Sequence, residues 1–248
     1  MTEKAEEKQY RCPGESYTIS DSVCRGRQRV NYPKCNVCLE KVEPGGFAQS
    51  HAEPKLSINI FKSYDIRGKY PSELNDTTAH KIGTSIALFF REKNPDVKNI
   101  VVGRDMRLSS KSLANALIEG LCTAGLNVIN VGVVSSEMTY FAVGHYKYDG
   151  GVMVTASHNP AEYNGFKLCR EQAIPVSFET GIDRISKLTK QYHPLRGEHL
   201  GKVIVSDIFA DYKKHVLKFA SNLRHLRVVI DAGNGMAGKT IPLVCEGL

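Results

Sequence analysis

No apolar run in the 248 residues approaches the 18 or more that a membrane-spanning helix needs. The opening MTEKAEEKQY is charged and polar, so it cannot serve as the apolar core of a secretory signal. Nor is there a long block of one charge. The net charge is +7, but residues 1–58 hold nine Lys/Arg against eight Asp/Glu, and the excess lies mostly in 59–248, where it is scattered. Only Arg25, Arg27 and Arg29 form a local basic cluster. These absences argue against a membrane protein and a secreted protein; the net charge invites a nucleic-acid reading, which its scatter weakens without deciding. A scattered excess suits affinity for small anions such as phosphate esters equally well. With 42% hydrophobic and 24% charged residues, the composition is that of a soluble globular chain, long enough for one or two domains with real cores. The cytoplasm is the expected compartment.

Organisation changes along the chain. Residues 1–57 lack sustained periodicity, carry the turn formers Pro13-Gly14, Pro33, Pro44-Gly45-Gly46 and Pro54, and read as a Cys-rich extension and linker. From Ile58 an alternation of helix and strand begins. Asn75 or Asp76 can cap a helix with Ala79, Ile82, Ile86 and Phe90 on one face. A strand over 99–103 follows, then a helix after Ser109/Ser110 with Leu113, Leu117, Leu121 and Ala124 at helical spacing, ended by Gly125. Strands over 127–131, 151–154 and 166–169 and helices over 136–146 and 178–190 complete an α/β pattern, a sheet flanked by helices. Pro194, Gly197 and Gly201 then interrupt it. Asp207 can cap a helix carrying Ile208, Tyr212, Val216 and Phe219, and a strand over 226–231 looks like the start of a new α/β unit. The expected domains are therefore 1–57, 58–200 and 201–248, the last a linker helix and the opening of a second domain in a fragment of a longer protein.

Four of the seven cysteines fall close together: Cys12, Cys24, Cys35 and Cys38, spaced C-x11-C-x10-C-x2-C. The Cys35/Cys38 pair suits two ligands on a tight turn, but no second C-x-x-C answers it. A Zn2+ site would supply folding energy that so short a segment lacks. Free or packed thiols and a Cys35/Cys38 redox pair are the alternatives. Cys122, Cys169 and Cys245 stand alone in apolar surroundings and read as inert core thiols.

Four segments could carry chemistry. Thr155-Ala-Ser-His-Asn-Pro160 through Lys167 follows an apolar strand, where α/β proteins place their sites. It offers a hydroxyl (Ser157), an imidazole (His158), amides (Asn159, Asn164) and a cation (Lys167), a set able to carry and neutralise a phosphoryl group. It could equally be a polar surface turn. There is no G-x-S-x-G elbow around Ser157, and a histidine adjacent in sequence is poorly placed to act as its base, so a serine hydrolase is disfavoured. In Tyr64-Asp-Ile-Arg-Gly68, the Arg67 fork can bind phosphate bidentately and Gly68 can let the backbone come close; the alternative is a strand end with a surface arginine. Val101-Val-Gly-Arg-Asp105 reads as a strand ending in a structural ion pair. Gly233-Asn-Gly-Met-Ala-Gly238 fits G-x-G-x-x-G, which would make a nucleotide-binding oxidoreductase if a strand precedes it and an acidic residue lies about 20 positions on. The sequence stops ten residues past Gly238.

The first three segments, in this order, resemble the α-D-phosphohexomutases, particularly the phosphomannomutase/phosphoglucomutase group. The likeness runs over about 58–248 and rests on residues 61–68, 102–105, 151–160 and 164–167, with 228–235 similar to the opening of that family's second domain. It implies a phosphoserine at Ser157 that exchanges its phosphoryl group with a hexose 1- or 6-phosphate through a bisphosphorylated sugar. It further implies Mg2+ on the phosphoserine and hexose 1,6-bisphosphate as activator. Arg67 and Lys167 match positive residues around the transferring phosphate. Lys167 would also move the sugar-hydroxyl proton, His158 would be a supporting donor, and Tyr64 and Asn159 would bind substrate or phosphate. The family's aspartate-rich metal loop, sugar loop and distal phosphate loop have no match here, so weak turnover by these 248 residues alone is expected, and glucose against mannose is left open. Hexose phosphates are the expected partners, with neither membrane nor nucleic acid. A zinc-dependent module binding nucleic acid or protein through the extension is the competing class.

Overall fold

The computed structural model describes residues 9–10, 19–20, 58–193, 200–220 and 227–246. The chain divides into two compact units, Met1–Glu53 and Pro54–Leu248. In the first, β1 (Gln9–Tyr10) pairs antiparallel with β2 (Ile19–Ser20). Cys12, Cys24, Cys35, Cys38 and the Arg25/Arg27/Arg29 cluster lie outside the described residues, and with them the zinc, redox and nucleic-acid readings.

In the second unit, β3 (Ile66–Lys69), β4 (Asn99–Arg104), β5 (Asn127–Val133), β6 (Gly150–Val154), β7 (Tyr163–Arg170) and β8 (Val203–Val205) form one sheet in the order β3-β7-β6-β4-β5-β8. Strands β6, β4, β5 and β8 run parallel, whereas β7 is antiparallel to both of its neighbours. The two parallel central strands are buried on both faces, which explains their unbroken apolar runs Ile100-Val101-Val102 and Val152-Met153-Val154. On one face, Ile100, Val102, Val152, Val154, Phe166 and Leu168 pack against α1 (Asp76–Lys93), α2 (Ser110–Thr123) and α4 (Asp183–Lys190). On the other, Val101, Ile129, Met153 and Cys169 pack against α3 (Ser136–His145) and the start of α5 (Phe209–Leu217). The result is the expected sheet flanked by helices.

Local chemistry sets the element ends. The Asn75 side chain accepts from the Thr78 N–H at the head of α1, and Ser135 accepts from the Met138 N–H at the head of α3. Ala79, Ile82, Ile86 and Phe90 are buried, as are Leu113, Leu117, Leu121 and Ala124. Gly125 takes a φ of 84°, the left-handed turn that ends α2.

Four expectations need correction. The helix over 178–190 is two pieces: a capping box on Ser177 opens a wide turn, Phe178–Ile182, and α4 starts only at Asp183. The break falls at Gly181, whose backbone is non-helical and where a Cβ would press on Phe89 and Val176. Residues 203–205, read as part of an interruption, form β8, because Val203–Val205 extends the sheet beside β5 and takes up its free edge. Residues 227–231 form no strand: no described strand lies alongside to take their hydrogen bonds, and Val228, Val229 and Ile230 are exposed. The G-x-G-x-x-G segment therefore lacks the strand that a dinucleotide fingerprint requires. Finally, Phe219 and Cys245 are exposed rather than buried.

The remaining two thiols behave as expected of core groups. Burial pushes Cys169 up to about 12 and Cys122 up to about 11. The reactive species is the thiolate, so raised thiols are almost wholly protonated near neutral pH. Among these three cysteines, iodoacetamide near neutral pH should therefore modify Cys245 first and reach Cys122 and Cys169 only after unfolding. Peptide-resolved alkylation checks this.

Candidate active site

Strand alternation assembles the positive part of the site. On β3, Ile66 faces the core, so Asp65 and Arg67 face the other way. Arg67 stands opposite Gly165 of β7, and Lys167 lies two residues on along the same face, a diagonal neighbour. Arg67 pairs with Asp65, and the Lys167 Nζ is 3.7 Å from the same carboxylate oxygen. Asp65 is buried with two cations on it, so the cluster keeps a net positive charge, and the buried Arg67 Nε has no protein partner among the described residues. A side chain at Gly165 would collide with the Ile66 carbonyl, so glycine is what allows β3 to lie this close. Tyr64, 78% exposed, stands at the rim. Together Tyr64, Asp65, Arg67, Lys167 and Asn159 line one cleft. Gly68 does not serve as expected. Its missing Cβ faces Ile60 and Leu74, so it admits core packing and not a ligand.

The serine loop follows β6. Ser157 is exposed and takes a φ of 56°, a left-handed conformation costing a non-glycine residue about 1 kcal/mol. Its N–H donates to the Thr155 hydroxyl at 2.9 Å, and that hydroxyl donates to Asp105 Oδ2 at 2.7 Å. Asp105 continues β4, next to β6 in the sheet, and its N–H donates to the Val154 carbonyl. It also accepts from Ser110 Oγ and from the Arg107 N–H. The Arg107 guanidinium donates to the loop carbonyls of Ser157 (2.8 Å), Asn159 (2.6 Å), Pro160 (2.8 Å) and Tyr163 (3.2 Å). Asn164, fully buried, donates to Ser109 and Ser110 and ties the loop's far end to the head of α2. Asn159 closes a turn by donating to the Ala156 carbonyl.

Ser157 and His158 line a second cleft with Thr155, Glu137, Asn159, Asn234 and Met236. Asn159 borders both clefts. The sequence-predicted residues thus gather in two groups, Ser157 with His158 and Arg67 with Lys167 and Tyr64, joined at Asn159. The Ser157 Oγ is 3.4 Å from His158 Nδ1, and among the described residues no carboxylate hydrogen-bonds that imidazole. This is not a hydrolase triad. The ion pair expected at the end of β4 is Asp105 with Arg107, at 3.2 Å, and not with Arg104. Asp65, Arg107 and Thr155 received no role from the sequence, Asp105 only that of an ion-pair partner and Ser110 only that of a helix start. A usable signal existed for Asp105, since parallel neighbours that end together place the residues after them side by side.

Among the described residues no three or more His, Cys, Asp or Glu gather as a metal site would. Both oxygens of Asp105 beneath the loop are already engaged. No helix among the described residues is long and apolar enough to cross a membrane.

Residues 59–195 match the family described as phosphoglucomutase/phosphomannomutase, alpha/beta/alpha domain I. The chain is 40% identical over 186 residues to a phosphomannomutase of Vibrio cholerae, covering 74% of this chain and 40% of that one. It is also 40% identical over 195 residues to a protein named phosphohexose mutases from Xanthomonas campestris, covering 78% and 42%. A solved phosphoglucomutase/phosphomannomutase family protein from Burkholderia thailandensis superposes with a TM-score of 0.65 at 30% identity, over 76% of this chain and 42% of that one. The chain spans about two fifths of the length of these relatives. With its serine loop on the sheet these relatives share, the chain belongs to the phosphoglucomutase/phosphomannomutase family, and residues 59–195 are its α/β/α domain I.

Proposed function

We propose that this chain is the phosphate-carrying part of a phosphohexomutase, an intramolecular phosphotransferase interconverting hexose 1- and 6-phosphates. The observation that carries the reading is an exposed serine hydroxyl, held in a left-handed turn, beside a cleft with a net positive arginine–lysine pair. Phosphoryl transfer asks for positioning and charge neutralisation more than for covalent ingenuity. In the loading half-reaction a P–O bond of a hexose 1,6-bisphosphate breaks, the Ser157 Oγ–P bond forms, and the Oγ proton passes to the departing sugar oxygen. In the return half-reaction a hexose monophosphate that carries its phosphate at the opposite position offers its free hydroxyl, which takes the phosphoryl group to re-form the bisphosphate, and its proton returns to Ser157.

Lys167 moves that proton, with His158 as a supporting donor. Arg67 binds phosphate through its guanidinium fork, while Tyr64 and Asn159 complete the sugar-phosphate contacts. Mg2+ would neutralise phosphoryl charge, but the described residues do not by themselves fit a site for it; this chain's contribution is an oxygen of phosphorylated Ser157. Residues 58–200 act as the phosphoserine domain and 201–248 as the link towards a second domain, in an enzyme of the cytoplasm, where hexose phosphates are made and used.

Donor specificity tests the reading. Incubated with Mg2+ and either glucose or mannose 1,6-bisphosphate, the chain should gain one phosphoryl group by intact mass, and equal concentrations of acetyl phosphate or ATP should load it far more slowly. Equal loading by all donors would contradict a hexose-phosphate site. The faster of the two sugars identifies the preferred hexose.

A further inference from the structure

The sequence assigns nothing to Arg107, and the site reading above does not use it, yet it is the most heavily bonded side chain at the loop. Both N–H groups on each terminal nitrogen go to loop carbonyls, and Nε lies 3.2 Å from Asp105 Oδ2. Four of the five guanidinium N–H donors are thus spent on the loop backbone, and the fifth faces Asp105 as an ion pair. Arg107 lines the Ser157 cleft, but its fork is turned to the loop carbonyls and its terminal nitrogens are not free for a phosphate.

What the guanidinium does to the loop follows from peptide geometry. A planar trans peptide points its C=O and the next residue's N–H in opposite directions. The carbonyls of Ser157 and Pro160 aim at Arg107, so the N–H groups of His158 and Ala161 aim away from it. Neither amide hydrogen-bonds to a described protein group, and both residues line the Ser157 cleft. Backbone amides gathered this way form an anion-binding concavity.

We propose that Arg107 is the positioning residue of phosphoryl transfer: by collecting the carbonyls of Ser157, Asn159, Pro160 and Tyr163, it fixes the left-handed Ser157 and presents the His158 and Ala161 amides to the phosphoryl group on that serine. This deepens, and rests on, the phosphoserine reading. Asp105 anchors the clamp, so the loop is held from the end of β4, a neighbouring strand, as well as by its own turns. Lysine cannot substitute, because three donors on one atom do not span four carbonyls.

The test compares the whole chain with Arg107→Lys, using hexose 1,6-bisphosphate and Mg2+ under single-turnover conditions. The variant should still load close to one phosphoryl group per chain with an unchanged half-saturating concentration, but at a limiting rate about 100-fold lower. A merely structural role would instead lower the amplitude and the melting temperature together. Loading at the wild-type rate overturns the proposal. If Arg107→Lys does not fold, Arg107→Gly is read with millimolar guanidinium. Restoration of the rate by about tenfold or more supports the clamp, and no restoration overturns it. If the wild-type chain takes no phosphate at all, the function reading fails, and the clamp is judged by amide hydrogen exchange. Exchange over 156–163 that is about 30-fold faster in the variant, with β4 and α2 unchanged, supports it; unchanged loop exchange overturns it.

Discussion

Replacing Ser157 with alanine takes phosphoryl incorporation from one group per chain to none and leaves the melting temperature close to that of the wild type. The first half follows from how the neighbouring hydroxyls are committed. Thr155 accepts from the Ser157 N–H and donates to Asp105, and Ser110 is spent on Asp105 and Asn164. Ser135 caps α3. Ser136 is the one hydroxyl lining the cleft without a hydrogen bond among the described residues, so the variant separates Ser157 from that competitor. The second half follows from exposure. The Ser157 side chain makes only a 3.4 Å contact with His158, and removing an exposed oxygen away from a buried network shifts stability by no more than about 0.5 kcal/mol. Intact mass after incubation with hexose 1,6-bisphosphate, paired with a thermal melt, reads both.

Asp105→Ala has the opposite profile, a large loss of stability. Asp105 is 8% exposed and receives Ser110 Oγ, Thr155 Oγ1 and the Arg107 N–H while facing the Arg107 guanidinium. Removing one member of such a pair leaves a cation without its counter-charge and three donors without their acceptor, at a cost of about 3–5 kcal/mol. Against a total of roughly 5–15 kcal/mol for a domain, that is a large fraction. Asp105→Asn retains a side-chain oxygen and most of the shape, and should cost less than the alanine. Urea denaturation of the three proteins checks the order. Loading of Ser157 should fall in both variants even where they remain folded, because the Thr155 hydroxyl that holds the Ser157 N–H loses its own anchor.

Much of this was legible in the sequence where one local rule governed the outcome. The apolar faces of α1 and α2, the Asn75 cap and the Gly125 stop are written in consecutive residues, and tertiary packing agrees with them. The serine loop was legible because it places a hydroxyl, an imidazole and turn formers straight after an apolar strand. What could not be read is what depends on partners distant in sequence. Val203–Val205 is a strand because β5 offers an edge, whereas Val228–Ile230, an equally apolar run, has no described partner and is not one. The role of Asp65 emerges only when antiparallel register sets it across from Lys167. Arg107 reaches carbonyls 50 to 56 residues further along the chain, and no local pattern announces that.

The central claim is that Ser157, and not merely some group on this chain, receives the phosphoryl group of a hexose bisphosphate. Fragment-ion mapping of the chain after exposure to hexose 1,6-bisphosphate and Mg2+ tests it most directly. The account predicts a single phosphate on Ser157, in the peptide that holds Thr155 to Lys167. Phosphate on Ser136, or a folded chain with Ser157 bare, would contradict it.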